Sequence, residues 1–231
     1  MNYEKARFNM IEQQIRPWEV LDSQVLALLA IVKREDFVPP EYRALAFADM
    51  EIPLTSNLQQ NPEQCMLAPK VEARILQDVA VQKHERVLEI GTGSGYMAAL
   101  LGHRGQQVTT VEIDADLAET ARGNLSRAGI YNAEVRTGDG SVNLVEAVSG
   151  NDSLRGPFDV IVLSGSVFEV PQSLLAMLTI GGRLSAIVGT EPVMRATLVT
   201  RVAEAAWRTT HAWDTVASRL LNFPKPSSFT F

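Results

Sequence analysis

The stretch RVLEIGTGSGY, residues 86–96, decides the fold. Val87-Leu88-Glu89-Ile90 is a short apolar run with the length and composition of a strand buried in a parallel sheet. Gly91-Thr92-Gly93-Ser94-Gly95 breaks it, and Tyr96-Met97-Ala98-Ala99-Leu100-Leu101 resumes with a helical pattern. A strand, a glycine turn and a helix form the first half of a nucleotide-binding βαβ unit. Glycines suit a turn that needs positive φ and a ligand that approaches the backbone closely. Two details narrow the ligand. A dinucleotide fingerprint wants a third glycine three residues after the second, and Tyr96 holds that place. Glu112, about 20 residues further on, closes the run Val108-Thr109-Thr110-Val111. An acidic side chain there can accept hydrogen bonds from both hydroxyls of a ribose. The competing reading is a glycine-rich turn in some other α/β protein, and the pairing with Glu112 outweighs it.

The whole chain suits this element. Its 231 residues, 46% of them hydrophobic, fit one large α/β domain with a small appendage. A net charge of −6 and a pI near 5.2 argue against bulk attraction to nucleic acid. The single cysteine, Cys65, permits no intrachain disulfide and no cysteine-based zinc site. His84, His103 and His211 are scattered and read as surface or loop residues, not metal ligands. The N-terminus, MNYEKARFNM, lacks the apolar core of a signal peptide. The longest apolar run, Val25 to Val32, is too short to cross a bilayer. The expectation is a cytoplasmic protein with no membrane partner.

Upstream of the glycine turn the chain reads as helical. Phe8, Ile11 and Ile15 share a helical face until Pro17. Asp22 or Ser23 caps a second helix with Val25, Leu28, Leu29 and Val32 on its stripe. A third short helix carries Tyr42, Leu45 and Phe47, and a polar loop spans Thr55 to Asn61. Pro69 suits the first turn of a helix over Lys70 to Val79, whose N-terminus is placed to face an anionic group of the ligand. Downstream, strands are expected at Gln107–Ile113, Ala133–Thr137, Phe158–Leu163 and Arg183–Val188. Helices are expected at Ala115–Ala128, around Val142–Val148, and from Pro171 to Leu178. Gly129 is a left-handed terminator. Two strand-like runs, Thr197–Val202 and His211–Val216, close the pattern. Cys65 reads as a small buried apolar residue, and Trp207 and Trp213 as core cover.

The motif Glu89-x-Gly91-x-Gly93-x-Gly95 resembles the first motif of class I methyltransferases that use S-adenosyl-L-methionine. Over nearly its whole length the chain is similar to the protein-L-isoaspartate O-methyltransferase family. The likeness is carried by Met10-Ile11-Glu12-Gln13-Gln14-Ile15, Val38-Pro39, Ile52-Pro53, the glycine turn, Gly138-Asp139-Gly140, Pro157-Phe158-Asp159 and Gly181-Gly182-Arg183-Leu184. It implies a Rossmann-like, doubly wound α/β fold with a mainly parallel seven-stranded sheet. Residues 1–80 would form an N-terminal helical segment on the substrate side, and residues 81–231 the cofactor-binding core of one compact unit. It implies Glu89, Gly91, Thr92, Gly93, Gly95, Glu112, Ile113, Asp139 and Gly140 as residues for the cofactor, with Asp139 accepting from the adenine amino group. The implied partner is a protein or peptide carrying isoaspartyl residues, whose methyl ester decays through a succinimide in a repair reaction. The family carries a serine two residues before the proline of a Thr-Ile-Ser-x-Pro-like segment, and its hydroxyl helps to hold the acceptor carboxylate. Here the segment is Cys65-Met66-Leu67-Ala68-Pro69, so Leu67 stands at the serine position and cannot donate a hydrogen bond. Ser164 and Ser166, past a strand's carboxyl end, are candidates to replace it, with ordinary turn chemistry as the plainer explanation. Two other readings stay open: a related methyltransferase with a different acceptor, and a cofactor-binding protein without catalysis.

Overall fold

Seven strands in the order β5-β4-β3-β6-β7-β8-β9 build the central sheet of the computed structural model, which describes residues 2–55, 61–142, 154 and 156–225. In chain order the elements begin with α1 (Tyr3–Met10), α2 (Ser23–Ile31), β1 (Ile52–Pro53), β2 (Cys65–Met66) and α3 (Pro69–Val79). The alternation β3 (Arg86–Ile90), α4 (Tyr96–Arg104), β4 (Gln107–Glu112), α5 (Ala115–Arg127) and β5 (Ala133–Thr137) follows. The rest is β6 (Phe158–Val167), α6 (Gln172–Ala176), β7 (Leu178–Thr190), β8 (Val193–Ala203) and β9 (Ala206–Thr215). Pairing is parallel from β5 through β7, and only β8 runs against its neighbours.

Alternation along the strands assigns side chains to the two faces. Val87, Val108, Val160 and Val162 pack with α3, α4 and the N-terminal residues Met10, Ile15 and Leu29. Leu88, Ile90, Val111, Ile161 and Leu163 pack on the other face with Leu174 and Leu175 of α6. Burial on both faces explains why these strands read as near-continuous apolar runs. The strand order reverses between β3 and β6, and ligands of open α/β sheets bind beyond the strand ends at such a point.

Side-chain caps account for some of the helix starts. Asp22 caps α2 through hydrogen bonds from the backbone N–H of Gln24 and Val25, and Asp114 caps α5 in the same way. Pro69 is the first residue of α3, and Gly129, at φ +72°, follows α5.

Several expected boundaries move. The chain beyond α1 passes through a π-helical turn at Ile11–Ile15. That turn brings Met10 and Ile15 inward with Arg7, and Phe8 points to solvent. The third helix is a 3₁₀ segment over Pro40–Leu45 that stops short of Phe47. β6 does not end at Leu163 but runs through Ser164-Gly165-Ser166 to Val167, where Ser166 and Val167 pair with Ile187 and Val188 of β7 and Ser166 N–H and C=O also pair with Ser218 and Leu220 of the tail. Gly181-Gly182 is not a turn before β7. It lies in an irregular stretch inside that strand, where pairing jumps from Phe158↔Leu178 to Val160↔Arg183. α6 covers only Gln172–Ala176. The helix expected around Val142–Val148 lies, beyond Val142, outside the described residues, as does most of the Thr55–Asn61 loop. Trp213 covers the core, donating to Asp78 at 2.8 Å and meeting Trp18 edge-on, whereas Trp207 is exposed.

Candidate functional site

A cleft of about 710 Å³ lies over the carboxyl ends of β3, β4 and β5. Its floor is the glycine turn. Gly91, Gly93 and Gly95 all have positive φ, at +90°, +53° and +84°, a conformation that side chains with a Cβ rarely adopt. At Gly91 a Cβ would also lie 2.8 Å from Leu220 Cδ2, the end of a side chain that can shift, so it is the positive φ that favours glycine there.

Glu112 ends β4 inside this cleft, almost wholly buried. Gly93 N–H donates to its Oε2 at 2.8 Å and Asp114 N–H to its Oε1 at 3.1 Å. Backbone donors set the carboxylate's orientation and leave acceptor capacity for a ligand. Burial pushes its carboxyl up, and the backbone hydrogen bonds oppose that. Ile113, Asp139 and Gly140 line the same cleft. Asp139 accepts from Ser141 N–H at 2.8 Å and from Asn222 Nδ2 at 2.7 Å. Gly140 lets the turn after β5 lie close over Ile90 of β3, since a Cβ there would run into Ile90 Cγ2.

The remaining candidates take other places. Gly95 lines neither the cleft nor the pocket behind it. It caps α4, and a Cβ on it would press on Ala121 and Leu125 of α5. Glu89 and Thr92 sit behind the cleft, on an inner pocket of about 260 Å³. Leu67, Glu72, Tyr96, Met97 and Ser164 also line it, and it shares Gly91, Gly93, Cys65, Leu54 and Ser164 with the cleft. The first turn of α3 does not reach the cleft: Ala68, Lys70 and Val71 line a separate groove. Cys65 is partly exposed, not buried, and burial together with Glu51 pushes its thiol up.

Glu89 is fully buried. It accepts from Ser164 Oγ at 2.7 Å and from Thr110 Oγ1 at 2.7 Å, and Thr110 Oγ1 lies 2.6 Å from Thr92 Oγ1. Burial pushes the Glu89 carboxyl up to about 8, against the lowering effect of these hydroxyls. Burial likewise pushes Glu72 up, to about 7, although Arg34 opposes it. Both groups bind their proton more tightly folded than unfolded, so the folded state holds more protons between the two sets of values. The contribution of these two groups to stability therefore falls as pH rises from about 4.5 to 8, which outweighs the opposite effect of the single lowered histidine, His103. Urea denaturation at pH 5 and pH 8 is expected to show lower stability at pH 8, with a shallower difference in Glu89→Gln. Equal stability at both values would contradict this.

Sequence reading missed the C-terminal tail. Leu220 packs on Gly91 and Gly165, Asn222 holds Asp139, and Phe223 lines the cleft. Ser166 is fully buried and donates to Ala217 C=O at 2.8 Å, so it anchors this tail instead of facing a ligand. Gln64, just beyond the polar loop, donates through Nε2 to Asp114 at 2.8 Å. A run such as Arg219-Leu220-Leu221-Asn222-Phe223 carries no local signal of what it will cover.

Comparison with known proteins agrees with this layout. The family model for protein-L-isoaspartate(D-aspartate) O-methyltransferase matches residues 5–215. The protein-L-isoaspartate O-methyltransferase of Koribacter versatilis is 38% identical over 84% of this chain and 81% of its own length. That of Methanoculleus marisnigri is 37% identical over 80% of this chain and 78% of its own. That of Burkholderia lata is 39% identical over 89% of this chain, but this chain spans 62% of it. Among solved structures, a Plasmodium falciparum β-aspartate methyltransferase in complex with S-adenosyl-L-homocysteine superposes with a TM-score of 0.73. It covers 95% of this chain and 98% of its own at 18% identity, a likeness of fold. No helix among the described residues is long and apolar enough to cross a membrane. With the matched region spanning the glycine turn, the inner pocket and all of the cleft except its tail residues, this chain belongs to the protein-L-isoaspartate(D-aspartate) O-methyltransferase family.

Proposed function

We propose that this chain is a cytoplasmic, S-adenosyl-L-methionine-dependent methyltransferase that esterifies the carboxylate of isoaspartyl residues in damaged proteins. One observation carries the reading: the cleft ending in Glu112 and Asp139 shares Gly91, Gly93 and Ser164 with an inner pocket that Leu67 lines. The residues present fit the cofactor. Glu112 keeps acceptor capacity for vicinal hydroxyls, and the turn at Gly91 and Gly93 exposes backbone where a side chain would intrude. When bound, S-adenosyl-L-methionine supplies a methyl group activated by its sulfonium. The chain's own part is to bind, orient and exclude water. An acceptor carboxylate is already an ionised nucleophile, so no general base is required, and catalysis rests on orientation and desolvation. Gly91 and Gly93 set how near the acceptor can come, and Glu112 and Asp139 fix the nucleoside end.

The test is methyl transfer to an isoaspartyl peptide beside its normal aspartyl counterpart, with binding of S-adenosyl-L-homocysteine measured by calorimetry. Turnover of the first peptide and not the second is expected. Cofactor binding without turnover of either peptide would move the reading to another acceptor or to a protein without catalysis.

A further inference from the structure

On the isoaspartyl reading above, the acceptor carboxylate enters the inner pocket, where Leu67 presents apolar bulk and no donor. Leu67 is buried, and even its carbonyl is taken by Arg34 Nη2 at 2.6 Å. A carboxylate left without a donor in such a pocket loses on the order of tenfold to hundredfold in binding or rate.

We propose that the Ser164 hydroxyl is the donor that holds the acceptor carboxylate in this chain, with Glu89 behind it setting the direction of its proton. Ser164 is partly exposed and lines both the cleft and the inner pocket, so it stands where the two spaces meet. Parallel pairing of β3 with β6 brings Ile90 opposite Leu163, which sets Ser164 beside the start of the glycine turn. Its Oγ lies 2.7 Å from Glu89 Oε1. With Glu89 ionised, Ser164 donates to Glu89 and offers the pocket only lone pairs. With Glu89 protonated, the carboxyl can donate to Ser164 Oγ, and the serine proton turns to the pocket. Burial keeps Glu89 protonated at neutral pH, and the neighbouring carboxylates Glu72 and Glu112 act in the same sense. The chain of donors is then Glu89 to Ser164 to acceptor, with no proton transferred.

Other polar groups on the inner pocket are less well placed. Thr92 Oγ1 is engaged with Thr110, and Glu72 is paired with Arg34. The Tyr96 hydroxyl has no hydrogen-bond partner among the described residues, yet Tyr96 and Ser94 line only the inner pocket, whereas Ser164 stands at its junction with the cleft, where acceptor and cofactor would meet.

The test compares wild type, Ser164→Ala, Ser164→Thr, Tyr96→Phe and the double variant Ser164→Ala/Leu67→Ser. Two readouts are used: kcat/KM for an isoaspartyl peptide, and peptide affinity for protein saturated with S-adenosyl-L-homocysteine. Ser164→Ala should lower both at least tenfold while affinity for S-adenosyl-L-homocysteine stays within about threefold. Threonine should retain most of the activity, and adding Leu67→Ser to the alanine variant should recover at least tenfold. An active wild type indifferent to Ser164→Ala overturns the assignment alone. So does a loss carried by Tyr96→Phe instead, or a loss confined to affinity for S-adenosyl-L-homocysteine. A wild type that binds S-adenosyl-L-homocysteine and methylates no isoaspartyl peptide overturns the functional reading and this assignment with it.

Discussion

Arg34→Ala is expected to destabilise the protein by about 3–5 kcal/mol, the cost of leaving one member of a buried ion pair uncompensated. Arg34 is fully buried, and Nη1 pairs with Glu72 of α3. Its Nε donates to Ala46 C=O at 3.0 Å and its Nη2 to Leu67 C=O at 2.6 Å. The guanidinium also lies 5.2 Å from the centre of the Tyr96 ring. One side chain thus joins the N-terminal segment, the first turn of α3, the loop at Ala46 and the acceptor end of the site. Alanine would leave the Glu72 carboxylate and two buried carbonyls without their donor, each carbonyl costing a further 1–3 kcal/mol or so where water does not enter. Since natural domains hold only about 5–15 kcal/mol in total, the variant is expected near the edge of folding. The check is urea denaturation at pH 7, beside Arg34→Met/Glu72→Leu. Removing both side chains should cost clearly less than removing one, because the penalty lies in the buried Glu72 carboxyl, which without Arg34 has lost its donor and takes up a proton. A loss under 1 kcal/mol in Arg34→Ala would show that water reaches Glu72.

Arg34 also marks where sequence reading stops. In Lys33-Arg34-Glu35-Asp36 it looks like part of a solvated charged run. Arg34 and Glu35 are in fact buried, because their partners Glu72 and Arg7 are 38 and 28 residues away in the chain. No local pattern encodes a pairing at that distance. The same holds for the tail, whose Leu220 and Asn222 meet Gly91 and Asp139 only after the sheet has formed. By contrast, β3, β5 and the start of α4 were legible, since a buried strand, a glycine turn and a helix each announce themselves within a few residues. Register is the intermediate case. Arg183 was readable as strand, but the preceding irregularity was not. The Arg183 guanidinium meanwhile reaches Glu85 at 2.6 Å and the carbonyl of Ala80 at 3.0 Å, contacts outside the strand that its own pattern does not announce. For the site, Glu112 was marked by a local signal, an acid at a strand end, and Asp139 by the resemblance of Gly138-Asp139-Gly140 to a family motif; the structure places both on the lining of the cleft. Gly95 belongs to the same motif, yet its lack of a side chain serves the packing of α4 against α5. A motif reports the turn it needs and does not say which of its glycines faces the ligand.

Glu112→Ala should weaken binding of S-adenosyl-L-homocysteine by about 1–3 kcal/mol, a factor of roughly 5 to 150 in Kd. The size follows from how the carboxylate is held. Gly93 and Asp114 N–H groups fix both oxygens before any ligand arrives, so little side-chain freedom remains to be lost on binding. The lone pairs left over face the cleft, and a charged acceptor makes stronger hydrogen bonds than a neutral one. Alanine removes those acceptors and also leaves Gly93 N–H without its partner, which loosens the turn. Glu112→Gln separates the two effects. Its one amide oxygen can still accept, while its NH₂ would oppose one of the backbone donors, so an intermediate loss is expected. A ligand lacking one ribose hydroxyl gives the decisive comparison. Wild type should discriminate against it by several-fold, and Glu112→Ala should bind both forms nearly alike, because the group that reads the hydroxyl is gone. Thermal unfolding of the ligand-free variants guards against a loss that comes from misfolding. A Kd for Glu112→Ala within twofold of wild type, in a protein that unfolds at the wild-type temperature, would move the ribose away from the end of β4.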